Sequence, residues 1–239
     1  MIDTHAHLDS TFCDISRVVG LGAVILSGAN LKTSKNNLLL AEKYSRFYPA
    51  VGIHPQEIGD DINLLEALAK NPNVIAIGEC GLEYVDVVDT KKQEEYFRKQ
   101  IEVAQKYNKP LIIHARKAMD EVIKILNEYK NLKGVVHCYS GGKKRINKVL
   151  ELPGEWYFGF DGNITYEVGL NEVLKGIPRD KILAETDSPL LTPVPFRGQE
   201  NRPAYVKYVY QKIADIWGES FDKTEEIIDA NAKRLFKII

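Results

Sequence analysis

Cysteine is scarce in this chain: Cys13, Cys80 and Cys138 are the only three. An odd number cannot pair completely, and no two form a Cys-x-x-Cys unit, so reduced thiols are expected rather than a disulfide framework. Long apolar runs are missing as well. None approaches the roughly eighteen residues that span a bilayer. The opening Met1-Ile2-Asp3-Thr4-His5-Ala6-His7 has no basic segment followed by an apolar one, as a secretory signal would. Nor is there an excess of charge. Lys and Arg number 32 against 33 Asp and Glu, a formal net charge of -1, which argues against coating nucleic acid by bulk charge but permits a local basic rim. The expectation is a cytoplasmic protein with no membrane association and no obligate protein partner. The remainder is ordinary globular material, 44% hydrophobic and 27% charged over 239 residues, enough chain to bury a large core.

Two periods alternate along the chain. Short apolar runs rich in β-branched residues occupy 2–7, 23–27, 48–53, 74–79, 110–114, 134–138, 156–160 and 182–185. Most are continuous rather than alternating, as strands covered on both faces of a parallel sheet should be. Segments of helical spacing lie between them. Val122, Ile125, Leu126 and Tyr129 form one stripe after Ala118. Thr90 and Gln93 have the spacing of a capping box for a helix through Phe97, Ile101 and Ala104. Leu64, Leu65 and Leu68 belong to a helix that starts near Asp60 or Asp61 and ends before Pro72. Two further helices, over 203–217 and 221–236, follow the last strand. Eight strand–helix units in this length predict an α/β fold, a (β/α)8 TIM barrel forming a single domain over 1–239; an open doubly wound sheet is the alternative. The proline-containing stretch 188–202 follows the eighth strand, where a barrel would lay it over the mouth.

All five histidines, His5, His7, His54, His114 and His137, fall at or just past the C-terminal end of a predicted strand. In a barrel those ends converge on the face that carries the chemistry. His5 and His7 are two apart, so both rings leave a strand on the same side. Imidazoles collected at a barrel mouth pack poorly but suit a first-row divalent metal. Glu79 and Asp187 end the fourth and eighth strands and join the same set. A buried acid there needs a partner. For Glu79 a barrel Lys or Arg would also serve, and Asp187 would also suit a cap on the turn before Pro189. Glu185, two residues before Asp187, reads as a group orienting a ligand or water.

Six stretches follow one another in a familiar order: Asp3-Thr4-His5-Ala6-His7, Val51-Gly52-Ile53-His54-Pro55, Ile77-Gly78-Glu79-Cys80-Gly81-Leu82-Glu83-Tyr84, Ile112-Ile113-His114-Ala115-Arg116, His137-Cys138-Tyr139-Ser140-Gly141 and Glu185-Thr186-Asp187-Ser188-Pro189-Leu190. With Pro193 to Gly198, Asn201-Arg202-Pro203 and Asn231 to Phe236, the set resembles the TatD-type metal-dependent hydrolases, deoxyribonuclease-like members of the amidohydrolase superfamily, over essentially the whole chain. The resemblance implies two divalent ions, Zn, Mn, Co or Mg. One would be held by His5, His7 and Asp187, the other by His114 and His137, with Glu79 bridging both. It implies DNA as substrate, and the near-neutral net charge favours single strands or chain ends over long duplexes. A hydroxide shared by the ions would attack phosphorus while Asp187 handles the proton, so Glu79 and Asp187 are the expected catalytic carboxylates. His54 would contact substrate. The pattern usually has Asp where Glu83 stands, and a small or hydroxylated residue where Asp161 stands; both departures are expected to bear on substrate choice.

Around this set, Arg116 and Arg197 are candidate phosphate clamps, since a guanidinium fork matches phosphate geometry. The run Lys143-Lys144-Arg145 is either a backbone-tracking patch or an exposed basic turn. Tyr84, Tyr139 and Phe196 lie in mouth-side segments and are candidates to stack on a splayed base, with Tyr139 taken as substrate-binding. Cys80 and Cys138, each beside a candidate ligand, should point toward the helices as small packers. Hydrolysis of a small amide, lactone, ester or phosphate on the same dinuclear frame is the alternative function. A non-catalytic binder would have no use for so complete a ligand set.

Overall fold

The computed structural model describes residues 1–8, 14–85 and 89–238; Cys13 lies outside the described residues. Eight parallel strands pair in sequence order, β1 Ile2–Ala6, β2 Ala23–Leu26, β3 Phe47–Val51, β4 Ala76–Glu83, β5 Leu111–Arg116, β6 Leu132–Val136, β7 Gly154–Phe160 and β8 Ile182–Ala184. The ring closes between β8 and β1 through a parallel bridge of Ala6 with Ser188. His7 N donates to Ser188 O at 2.8 Å, and Asp187 N donates to His5 O at 2.9 Å. The single (β/α)8 barrel is therefore the fold, and the open sheet is excluded.

Helices α1 Leu31–Lys43, α2 Ile62–Ala69, α3 Thr90–Lys106, α4 Met119–Leu126, α5 Lys143–Leu150, α6 Val168–Lys175, α7 Val206–Trp217 and α8 Phe221–Phe236 surround it. The strands feed two apolar layers. One, inside the barrel, includes Ile25, Ala50, Ile112, Val135, Tyr157 and Leu183 and is plugged by Leu235 and Phe236 of α8. The other lies between strands and helices and contains Leu26, Val51, Ile77, Phe97 and Cys80. Burial on both faces is why the strands read as continuous apolar runs; each large side chain so buried contributes about 1.5–3 kcal/mol.

Two details differ from the sequence expectation. Asp89, not Thr90, caps α3, accepting from Lys92 N at 3.0 Å. Gln93 is turned inward, where its Oε1 accepts from Glu83 N at 2.9 Å. Strand β4 also continues past Glu79 to Glu83. No helix among the described residues is long and apolar enough to cross a membrane.

Candidate metal centre

Glycines bring Glu79 to the middle of the mouth. Gly52, the residue after β3, has no side chain, and a Cβ there would run into the Gly78 backbone. The chain of β4 therefore lies over the end of β3 and bonds to the strand beyond it: Glu79 N donates to Gly28 O at 2.7 Å, and Gly28 N to Gly78 O at 3.1 Å. The pairing register shifts at this point, between Ile77 and Cys80, and again in β1 between Asp3 and Ala6. Irregularities of this kind re-aim side chains beside active sites, and here they aim Glu79 and His5.

The two oxygens of Glu79 face different donors. Oε2 lies 3.4 Å from His5 Nε2 and 3.5 Å from His7 Nε2. Asp187 Oδ1 lies 3.4 and 3.5 Å from the same two nitrogens, which are 3.1 Å apart. His5, His7 and Asp187 thus bring three donor atoms together, and Glu79 Oε2 stands beside the same two imidazoles. Donors about 2.0–2.2 Å from a zinc-sized ion stand about 3.3–3.6 Å from one another, so His5, His7 and Asp187 have the spacing to hold one divalent ion. Oε1 faces the other way, 2.8 Å from both His114 Nδ1 and His137 Nε2, which are 3.5 Å apart. His54 Nε2 is 3.5 Å from the same oxygen. No Lys or Arg reaches Glu79 among the described residues, so the barrel salt bridge is not formed. Asp187 turns at φ 53°, and its carboxylate goes to the histidines instead of capping the Pro189 turn.

The electrostatics follow from this crowding. Burial alone would raise Glu79, but the charge on His137 and bonds from His114, His137 and His5 hold it well below the usual carboxylate range. Burial would lower His7, yet the hydrogen bonds it donates to Asp187 and Glu79, with their charge, outweigh it and raise the ring to about 10. His137 is likewise raised, against burial, by Glu79 and Glu185. His5 is lowered by burial and by His137 stacked on it, with centroids 4.1 Å apart. Burial takes His54 down to about 4. An ionised carboxylate enclosed by imidazoles is a trap for a cation.

Neighbours decide which ring nitrogen each histidine offers. Ser27 Oγ takes His5 Nδ1 at 3.1 Å, leaving Nε2 for the cluster. Gln56 N donates to His54 Nδ1 at 3.1 Å, so neutral His54 carries its proton on Nε2, toward Glu79. Glu185 is seated against Gly159, where a Cβ would strike its carboxylate, and accepts from Cys138 N. Its Oε1 is 3.6 Å from His137 Nδ1, and that nitrogen and Glu185 Oε2 are buried with no hydrogen-bond partner among the described residues. A ring drawn toward an ion through Nε2 would give both orphaned atoms a use in orienting it.

A protein-family model described as TatD related DNase matches residues 2–237. The chain belongs to the TatD-related DNase family. It is a metal-dependent hydrolase on the family's barrel. It is 35% identical to the metal-dependent hydrolase YabD of Bacillus subtilis, over 100% of this chain and 99% of that one. It is 31% identical to the 3'-5' ssDNA/RNA exonuclease TatD of Salmonella typhimurium, over 92% of this chain and 89% of that one. Among solved structures, YJJV, a TatD homologue from Escherichia coli K12, superimposes with a TM-score of 0.90 at 27% identity, covering 100% of this chain and 98% of that one.

Several expectations are met differently in this TatD-family barrel. Tyr139, expected to bind substrate, does not present its ring at the mouth: it is 2% exposed, edge-on to Phe158 with centroids 4.8 Å apart, and its hydroxyl donates to Gly142 O at 3.0 Å. A ring packed that way offers no face to a base. Tyr139→Leu should therefore cost about 1–3 kcal/mol in chemical denaturation and leave oligonucleotide affinity unchanged. Cys138 does not point at the helices. It follows β6 with φ 45°, out of the strand alternation, and its thiol lies near Asn163 and Asp161. Asp161 is buried, which raises it to about 7. In the basic run, Lys143 pairs with Glu172 and Arg145 with Asp120. Phe196 is stacked on Tyr205 at 4.4 Å. Arg197 lies over the Tyr166 ring at 4.1 Å, and Arg116 sits at the rim with its side chain 58% exposed. Glu83, expected to bear on substrate choice, is buried against His114.

Sequence reasoning also missed Asp3. Its buried carboxylate accepts from Thr186 Oγ1 at 2.6 Å, Thr186 N at 2.9 Å and His5 N at 3.3 Å, tying β1 to the end of β8 between two candidate ligands. The signal available was an acid inside an otherwise apolar strand, two residues before His5.

Proposed function

We propose that this barrel hydrolyses phosphodiester bonds of single-stranded nucleic acid, DNA foremost, at chain ends, with two divalent ions as cofactors. The observation that carries the reading is the division of Glu79, one oxygen to His5 and His7, which Asp187 also meets, and the other to His114 and His137. The activity named for the Salmonella relative, a 3'-5' ssDNA/RNA exonuclease, supports the substrate class. Zn, Mn, Co or Mg bound there would supply Lewis acidity to the scissile phosphate and acidify the attacking water.

The chain's own groups supply the rest. Asp187 accepts the proton of the water that attacks phosphorus and returns one to the leaving oxygen. His54, neutral with its proton on Nε2, donates to a non-bridging phosphate oxygen. Arg116 and Arg197 hold flanking phosphates. Glu185 orients His137. Free thiols at Cys80 and Cys138 support a cytoplasmic location.

End-labelled single- and double-stranded DNA and RNA, offered to protein stripped with chelator and reloaded with each metal, test the proposal. Shortening of single strands from one end, absent with chelator, is the expected result. Turnover of an aryl carboxyl ester with no cleavage of any oligonucleotide would overturn it in favour of a small-ester hydrolase.

A further inference from the structure

Glu83 ends β4 with its carboxylate 1% exposed, in a part of the mouth that the reaction described above does not use. Both of its oxygens are occupied as acceptors. Oε1 takes Val85 N at 2.7 Å. Oε2 lies 3.1 Å from His114 Nε2 and 3.7 Å from Arg116 Nη1. Gln93 Oε1 fixes the Glu83 backbone from α3, so the carboxylate is held from behind.

His114 is thereby oriented differently from its neighbours. His5 and His137 turn Nε2 toward Glu79, whereas His114 turns Nδ1, 2.8 Å from Glu79 Oε1. A ring that is to give its Nδ1 lone pair to a cation must carry its proton on Nε2, and that proton needs an acceptor. Glu83 Oε2 is the acceptor at that place. Partners of this kind fix ring orientation, and losing them typically weakens metal binding about 10–100-fold.

We propose that Glu83 is a positioning residue for one of the two metal pockets, holding His114 with Nδ1 inward and so setting the affinity of the His114–His137 side alone. The proposal rests on the two-ion reading above. With the backbone of this chain, it is a carboxylate of this length that reaches His114 Nε2. A glutamine would offer one acceptor and one donor where two N–H groups already point, so one contact becomes donor against donor. An aspartate would draw the acid back by about 1.5 Å, one C–C bond, out of hydrogen-bond reach of Nε2.

The test is a Zn2+ titration against a chromophoric chelator, in wild type, E83Q and E83D, beside thermal melting in excess chelator. Wild type should show two binding steps. Both variants should keep one step unchanged and weaken the other about 10–100-fold, with melting temperatures within about 3 °C of wild type. Two unchanged steps would overturn the proposal, as would equal weakening of both or a collapse of the melting transition in both variants, which would mark a purely structural role. Wild type showing one step or none would instead overturn the two-ion reading beneath it.

Discussion

Glu79→Ala is expected to abolish cleavage of an end-labelled oligonucleotide, by at least about a thousandfold, and to take bound metal to well below one ion per chain. Each candidate pocket keeps its histidines in this variant but loses its share of the same carboxylate. One pocket keeps His5, His7 and Asp187; the other is left with imidazoles alone. Two neighbouring cations also need their mutual repulsion offset, and Glu79 is, among the described residues, the anion placed between the two sets. Loss of the ions removes Lewis acidity and water activation together, which is why the effect should far exceed that of a typical outer partner. Glu79→Gln separates the contributions. It keeps an oxygen for one pocket and gives up the charge, so it should retain partial metal content with little activity. Metal content by mass spectrometry and cleavage by gel, on the same preparations, check both. Activity within tenfold of wild type in Glu79→Ala would place the chemistry elsewhere.

The barrel was legible because burial on both strand faces is written directly as β-branched runs, and all eight were recovered to within a few residues at their ends. The sequence expectation ends the fourth strand at Glu79, where an acid follows an otherwise apolar run, whereas β4 continues to Glu83. In the structure Gly81 adopts φ 141° and lies against the His114 backbone, so it extends the pairing with β5 instead of ending it. The six candidate ligands could be read from position because histidine is rare here and strand ends converge. Their partners could not. Whether Gln93 caps α3 or turns inward to Glu83, and whether Cys138 follows strand alternation or leaves it, depends on contacts between elements distant in sequence. Tyr139 shows the same limit: an aromatic beside a mouth-side histidine looks the same in sequence whether it faces substrate or packs on Phe158. Glu83 was noticed only as a departure from a pattern, and its role follows from a 3.1 Å approach to a ring thirty-one positions away.

Metal uptake should release protons, and the affinity should climb steeply with pH. A histidine must be neutral to lend its lone pair. His7, raised to about 10 by Asp187 and Glu79 against the effect of burial, and His137, raised well above its ordinary value, are both protonated in the metal-free protein at pH 7. His5 is lowered and His54 sits at about 4, so neither has a proton to give. Protons should therefore leave from His7 and His137 as the pockets fill, and the binding constant should rise with pH from 7 upward until His7 is neutral near pH 10. Calorimetric titration in buffers of different ionisation heat counts those protons directly. Stability of the metal-free protein should move in the opposite direction. The contribution of His7 is fully present below its unfolded value of 6.5 and is lost as pH rises through about 10. Glu79 and Asp187, held below their ordinary values, contribute above about 4.5 and lose that contribution as pH falls. The rise in melting temperature on adding metal should then widen between pH 6.5 and 9, because the same carboxylates exchange a proton-bearing imidazole for a cation. Uptake that is independent of pH, with no proton released, would mean that the imidazoles are already neutral and that the carboxylates do not hold their protons in place.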